Sequence, residues 1–565
     1  MLGLPPSISE PVESVVRLVN SYLQPFVDVD DSSLIPIATV AVVASFTSFV
    51  VGYIGNQKRL DFVLRGFPTP PRNIFLGHIP RFINGAWEFI GESAKKFNFK
   101  NFRVYIFGFP LIVLTDPTSL KRVLHTNFRN YKKDRLTYNQ FLCILGKGIV
   151  TSEGDEWKRQ RLLISAVMRV DILEEVAESA VVAADRLTTK MIQQTKENPE
   201  FEFDMAEEFR CLTLQVIGGA LLSMTPDESD KVFPSLYLPI VTEANKRTYN
   251  PFRALYPTLT NLEFHRAKVG LNGFLKDFIR RRWIEASEKK AKEAANKEVT
   301  TEEKPKERFR RKHKDILEKI LFAIDECPSS MVDQLCDEVK TFLLAGHETS
   351  STMLTWAIFE CVKNRDVFAK VREEVDELFK NGMPNFDAAK DGLQYTLAVL
   401  KETLRMYSVV PVVTRQCVET DKFEGFEIPS GVRVVIPMYV VHNRPDIWGD
   451  PENFRPDRFL PTADGKDPDI DPFAWIPFIN GPRNCLGQHF SLLESKIVLG
   501  LLIRRFDMVL SPKQTGMDTS SHILSPSLLI SFAIAEKHPF IIPWGPKDGM
   551  LIKMKPRQGI PMADS

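Results

Sequence analysis

Residues 331–363 carry apolar side chains at helical spacing, Met331, Leu335, Val339, Phe342 and Leu343, then Leu354, Ala357, Ile358 and Cys361. That recurrence is the signature of a helix with a buried face. The pattern predicts a helix that is long for a globular protein and crosses the whole body. At its middle stand Ala345-Gly346-His347-Glu348-Thr349-Ser350. A glycine, an acid and two hydroxyls are poor choices inside a buried helix, because glycine costs backbone entropy and hydroxyls compete for backbone hydrogen bonds. A local conflict of this kind marks a functional site more readily than a solvent-facing polar turn.

The 565 residues are 44% hydrophobic and 26% charged, which excludes a disordered chain, a collagen-like fibre and a multi-span membrane protein. Length alone would suggest several domains. The 73 Lys+Arg and 72 Asp+Glu leave a net charge of +1, which gives no reason to expect nucleic acid as a partner. Forty Phe against 11 Tyr and 7 Trp point to an apolar interior or pocket. Seven cysteines contain no CxxC pair, so neither a disulfide framework nor a zinc finger is signalled. No Asn-x-Ser/Thr sequon occurs, which favours a cytosolic body.

From Ser32 to Gln57 there is no charged residue, and about 20 apolar residues suffice to cross the hydrocarbon core as a helix. Asp28, Asp30 and Asp31 precede this run, and Lys58, Arg59 and Arg65 follow it. The positive flank stays cytosolic, which predicts a lumenal segment over residues 1–31, a transmembrane anchor over 32–57 and a cytosolic body. The acidic first segment argues against a signal or transit peptide. Pro68, Pro70 and Pro71 fall in a predicted linker, 58–80, that they would stiffen. The body is expected over 81–557, with a tail at 558–565. Residues 102–115 read as two strands with a turn at Gly108-Phe109-Pro110, and most of the rest is helical in pattern. The stretch 285–315 is dominated by charges and cannot bury enough surface to offset its ordering entropy, so a solvated, mobile loop or a frayed helix extension is expected. A sharper reading makes Arg308, Arg310, Arg311 and Lys312 a basic patch that touches a membrane.

The C-terminal third holds Phe478-Ile479-Asn480-Gly481-Pro482-Arg483-Asn484-Cys485-Leu486-Gly487. Two glycines let a backbone pass close to a flat ligand, and the cysteine between them can give iron a thiolate. This segment resembles the FxxGxRxCxG haem loop of the cytochrome P-450 superfamily at all its defining positions. Glu402-Thr403-Leu404-Arg405 resembles the family's ExxR, and Phe454-Arg455-Pro456-Asp457-Arg458-Phe459 its FxPERF, with Asp457 in place of Glu. Trp157-Lys158-Arg159-Gln160-Arg161 resembles its WxxxR. The resemblance implies a mostly α fold with a small β-rich lobe, preceded by one transmembrane helix, and haem b as cofactor. Cys485 would be the axial ligand of the iron. Trp157, Arg161, Arg483 and Arg415 would hold the propionates, and Phe478, Gly481 and Gly487 would shape the loop. Glu402, Arg405 and Arg458 would form a buried triad bracing it. Gly346 would leave room beside the iron for a diatomic ligand, Thr349 would hold a water, and Glu348 would relay protons.

The same resemblance implies a monooxygenase that inserts one oxygen atom of O2 into a lipophilic substrate of the fatty acid, terpenoid, sterol or carotenoid class. Electrons would come from NADPH through a separate flavoprotein reductase, with cytochrome b5 as a further partner and the lipid bilayer as the setting. The expected location is the endoplasmic reticulum membrane, with a plastid membrane as the alternative. Two rival functions are a haem-thiolate hydroperoxide isomerase or lyase and a non-catalytic haem-binding membrane protein. Relatives of the isomerase type typically lose the acid–alcohol pair, which is intact at Glu348-Thr349. Ser165-Ala166-Val167-Met168 departs from the Pro-Ala-Phe of many relatives, near a region that shapes the substrate cavity.

Overall fold

The computed structural model describes residues 31–559 apart from 84, 169–171, 250–257, 297–314, 381–385, 424, 515–545, 547 and 548, and gives only the backbone over 31–43. Residues 1–30 of the predicted lumenal segment 1–31, the basic patch at 308–312 and the end of the C-terminal tail lie outside the described residues. Eight helices position the site and are numbered in chain order: α1 (Asp31–Val63), α2 (Gly154–Val167), α3 (Leu173–Glu197), α4 (Met205–Leu222), α5 (Leu259–Asn296), α6 (Ser329–Lys363), α7 (Gln394–Met406) and α8 (Gln488–Arg505).

Helix α6 is the predicted long helix, and its 35 residues are largely buried. Helix α8 is buried along almost its whole length, although it carries Glu494, Lys496, Arg504 and Arg505 among its apolar residues. Residues of α3, α4, α6 and α8 share one core, among them Val176, Leu212, Ile217, Leu354, Trp356, Ile497 and Leu501. Helix α4 starts at Asp204, whose carboxylate accepts from Ala206 N at 3.0 Å, and stops at Ser223 in the left-handed conformation. A side-chain acceptor at the N-cap satisfies one of the amides the first turn leaves free.

Five strands form the larger sheet in the order β1 (Phe102–Ile106), β2 (Phe109–Val113), β8 (Arg433–Pro437), β5 (Val412–Cys417), β3 (Tyr131–Lys132). β2 and β8 are parallel, and the other pairs are antiparallel. A second sheet pairs β4 (Glu202–Asp204), β10 (Leu551–Pro556) and β9 (Phe506–Leu510), and β6 (Asp421–Phe423) pairs with β7 (Phe426–Ile428). A second core of Phe67, Ile112, Leu114, Val434, Ile436 and Met438 lies against the large sheet and includes Ile476. That contact ties the segment entering the cysteine loop to the sheet.

Two expectations are revised, and one alternative is selected. The 102–115 hairpin turns at Phe107 and Gly108, both with positive φ, and Pro110 lies inside β2 opposite Tyr105. A two-residue loop with positive φ at both positions matches the twist of its strands, and a turn at Phe109-Pro110 would not. The predicted linker begins later than expected, because α1 continues to Val63. Tyr53 lies within hydrogen-bond distance of the carbonyls of Ile74, Phe75 and Phe107, Gln57 donates to Gly108 O at 2.9 Å, and Asp61 pairs with Arg72 and Arg103. These bonds fasten the end of the helix to the sheet, so the body holds it in helical form. The first part of the charged stretch, up to Asn296, is the end of α5. Among the described residues no helix is long and apolar enough to cross a membrane.

Candidate active site

The cysteine loop is shaped by its own backbone. Cys485 N donates to Phe478 O at 2.9 Å, and Asn484 N donates to Gly481 O at 3.0 Å. Gly481 has φ +85, and a Cβ there would overlap the carbonyl oxygen of Leu124. Only glycine fits both the dihedral and the close approach. Cys485 is exposed by its own surface, yet burial pushes its thiol pKa up, against the opposing effects of the Gly487 amide and Arg161. Both hold for a side chain deep in the fold that faces an internal opening rather than bulk water. A Cβ on Gly487 would lie 3.9 Å from Sγ, so the following turn leaves the sulfur free on that side.

Four cations gather beside this loop. Arg161 of α2 donates from Nη1 to Asn484 O at 2.6 Å and from Nη2 to the Asn484 side chain. Arg483 lies over the Trp157 ring, 4.5 Å from its centroid, and forks onto the Glu153 carboxylate. Glu153 also accepts from Lys133 N at 2.8 Å. Burial would raise the Glu153 pKa, but the Arg483 guanidinium outweighs it and holds the carboxyl below its ordinary value. Lys133 Nζ donates to Ile149 O and Ser152 O, and burial, with Arg483 and Arg415 nearby, pulls its pKa down to about 7. Arg415 on β5 is buried and donates to Thr414 O at 2.7 Å and to Tyr138 Oη at 3.1 Å.

This donor set fits the haem that the resemblance implies. Among the described residues, Glu153 is the only carboxylate hydrogen-bonded to Lys133, Arg161, Arg415 or Arg483. Arg483 Nε is buried without a partner. Buried guanidinium donors left over after one acid call for further carboxylates, and arginine forks suit them. A thiol on the wall of an internal opening, beside a surplus of buried and half-buried cations, suits a ligand with iron at its centre and two acids at its edge.

Opposite in the sequence, the middle of α6 turns different side chains to different partners. Ala345 is exposed although its helix is buried on both sides of it, and Thr349 Oγ1, one turn on, donates to Ala345 O at 2.5 Å. Ser350 Oγ lies 3.0 Å from Ser491 Oγ, which pins this turn to the start of α8, six residues beyond Cys485. Glu348 is buried, and its Oε1 lies 3.5 Å from Arg210 Nη2 of α4. Burial raises the Glu348 pKa and Arg210 opposes the rise. Neighbouring helical residues point about 100° apart, so the acid and the alcohol adjacent in sequence have separate partners. A Cβ on Gly346 would come within 3.0 Å of Ile217 Cδ1, so the α4–α6 crossing itself calls for a glycine there. Thr213 Oγ1 of α4 donates to His347 O at 3.1 Å at the same crossing.

Behind the loop, Arg405 forks onto Glu402 with both bonds at 2.8 Å, and both residues are fully buried. Arg458 Nε lies 3.3 Å from Glu402 Oε1, and Arg455 N donates to the same oxygen at 2.9 Å. Asp457 is exposed and faces Lys370, and Asp450 receives Arg458 Nη2 at 2.6 Å. Sequence reading missed Asp450 and His442. Arg405 Nη1 donates to His442 O at 3.1 Å, and Ile476 N donates to His442 Nε2 at 2.9 Å. Nε2 therefore accepts, Nδ1 carries the proton, and Ser408 Oγ at 2.9 Å receives it. Burial pulls the His442 pKa down to about 3, so the ring is neutral. His442 connects the triad to a residue two places before Phe478. No sequence signal marks it, since a lone histidine after a strand carries no spacing pattern.

The chain matches the cytochrome P-450 family model over residues 67–533. It is similar to a cytochrome P-450 of Panax ginseng (CYP72A219), 26% identical over 81% of this chain and 85% of that protein. It is 29% identical to the human ultra-long-chain fatty acid omega-hydroxylase over 78% of this chain and 83% of that one. It is 30% identical to the chloroplastic protein LUTEIN DEFICIENT 5 of Arabidopsis thaliana, over 71% of this chain and 66% of that one. With the family model across most of the chain and a mainly helical body around a cysteine loop, the chain belongs to the cytochrome P-450 family, a monooxygenase whose cofactor is haem b.

Proposed function

We propose that the protein inserts oxygen into a lipophilic substrate, with electrons drawn from NADPH through a separate flavoprotein reductase and cytochrome b5 as a further donor. The observation that carries this reading is the cysteine loop, where an accessible thiol lies beside a surplus of buried and half-buried cations. Cys485 would give its thiolate to the iron. Arg161, Arg415, Arg483 and the Trp157 indole would hold the propionates, with Phe478, Gly481 and Gly487 setting the loop. Haem, when bound, supplies the activation of O2 by which one oxygen atom enters a substrate and the other leaves as water.

The chain's own residues handle protons and water. Thr349 holds its hydroxyl on the accessible side of α6, where a water can accept or donate a hydrogen bond. Glu348, with its pKa raised by burial, takes up protons and passes them inward as a general acid. Gly346 keeps α6 close to α4, where a Cβ would press on Ile217. Glu402, Arg405 and Arg458 brace the segment behind the loop.

The charge-free run 32–57 anchors the chain, and the acidic side before it faces the lumen. The endoplasmic reticulum membrane is the location this supports. Residues 1–31 are acidic and poor in arginine, which sets the plastid alternative second, although one similar protein carries a chloroplastic name. Membrane anchoring favours a substrate that partitions into the bilayer, of the fatty acid, terpenoid, sterol or carotenoid class. Cys485→Ala should abolish the carbon monoxide difference band of the reduced protein, and a surviving band would remove the thiolate assignment. A spectral-shift screen of lipids against the full-length holoprotein should find a compound that shifts the haem absorption.

A further inference from the structure

On the side of α6 facing α4, several buried polar groups come together without protein partners. His347 is fully buried, and neither Nδ1 nor Nε2 has a hydrogen-bond partner. The Tyr237 hydroxyl has none either, and its ring meets the imidazole edge-on with centroids 5.9 Å apart. Arg210 Nε is likewise unpartnered. Beside them, Glu348 Oε1 lies 3.6 Å from His347 Nδ1 and 3.5 Å from Arg210 Nη2. A buried polar atom without a partner costs about 1–3 kcal/mol, so four such atoms in one place call for a common cause. A buried water commonly makes about three hydrogen bonds to groups of this sort, and polar separations at or beyond 3.5 Å are those a water bridges.

We propose that His347, Tyr237, Glu348 and Arg210 enclose a hydration site whose ordered water is the store from which Glu348 draws protons. The proposal rests on the monooxygenase reading above. Tyr237 and His347 act as positioning residues, since they touch the water and not the reacting atoms. Burial, helped by Arg210, keeps the imidazole neutral with its pKa pulled down to about 3, and burial pushes the tyrosine pKa well up. A neutral imidazole offers one donor and one acceptor, and a hydroxyl offers both. Both can therefore hold a water in either orientation, which a chain of proton transfers requires. In each transfer a cluster water gives a proton to the Glu348 carboxylate, and the resulting hydroxide is neutralised by a proton from bulk solvent. The solvent end lies at Arg210, whose side chain is 34% exposed and which pairs with Glu207 at 3.0 Å. Arg210 and Glu207 are the other charged groups that act on Glu348.

The test uses the full-length holoenzyme with reductase and NADPH, lauric acid as the probe, and Tyr237→Phe and His347→Leu as variants. Oxygen consumption is measured in H2O and in D2O, and a high-resolution crystal structure of the wild-type protein is examined for water. Tyr237→Phe removes one oxygen atom and keeps the ring, so haem content and melting temperature should stay as in the wild type. Its oxygen consumption should fall about tenfold, a fraction of the ~10²–10⁴ that a positioned proton-transfer group contributes, and its solvent isotope effect should rise. At least one ordered water should lie within hydrogen-bond reach of Tyr237 Oη and His347. A wild type that consumes no oxygen with lauric acid removes lauric acid as a substrate, and the crystal structure still decides the hydration site. A wild type that does, with variants of unchanged rate and isotope effect, overturns the proton role. A dry pocket in the crystal overturns the inference outright.

Discussion

At Thr349 and His442 one side chain carries a job that its neighbours in sequence do not share. Thr349 is the accessible hydroxyl of α6, and Thr349→Ala should keep haem and substrate binding while NADPH is wasted as hydrogen peroxide. The loss of coupled product should be on the order of 10²–10⁴-fold, and unchanged coupling would remove Thr349 from proton handling. His442 gives a pH signature. Its folded pKa is about 3 against an ordinary 6.5, so the unfolded chain binds the proton more readily than the folded one. The stability it confers is complete above about pH 6.5 and is lost as pH falls towards 3. Urea titrations across that window should show a shallower pH slope for His442→Leu than for the wild type. An identical slope would mean that His442 is not neutral in the fold. Sequence reading could name Thr349 because hydroxyls conflict with a buried helix. It could not name His442, because its three partners come from segments that only the fold brings together.

Among the elements, the α4–α6 crossing and the α7 triad carry the most. Gly346→Val should force Ile217 to move, an overpacking cost of roughly 1–3 kcal/mol, reduced by the gain of up to ~1 kcal/mol on leaving glycine in a helix. Adding Ile217→Ala should restore part of the melting temperature. No rescue would mean that the glycine serves something other than the crossing. Arg405→Ala leaves Glu402 buried beside Arg458 alone, and breaking such a pair costs roughly 3–5 kcal/mol. The expected result is protein poor in haem, and a variant with full haem content and unchanged melting would separate the triad from the loop. The periodicity of 331–363 was enough to find α6, since an apolar stripe that keeps helical spacing over so many turns is what a buried helix requires. The hairpin turn starts one residue earlier than expected, because Phe107 accepts positive φ only once the twist of β1 and β2 imposes it.

For the whole molecule, α1 joins the body by a polar clasp at Tyr53, Gln57 and Asp61, while Phe46, Phe49 and Val51 of its apolar run are exposed. A chain starting at Leu60 should lose obligatory membrane integration and also melt at a lower temperature than one starting at Phe49. Equal melting temperatures would show that the clasp adds nothing. In sealed microsomes, added protease should digest the body and spare a short N-terminal fragment, and a protected body would invert the topology. The sequence by itself determined the helical class, the long central helix, the cysteine loop and the order of the motifs, because periodicity and fixed spacing are local and survive in a linear string. Tertiary structure alone decided that Glu348 turns to Arg210 while the Thr349 hydroxyl donates to Ala345 O, that Arg483 takes Glu153 as its partner, and that His442 joins the triad to the loop. Those facts depend on contacts between residues as many as 330 positions apart, and a spacing pattern has no way to encode which distant side chain will meet which.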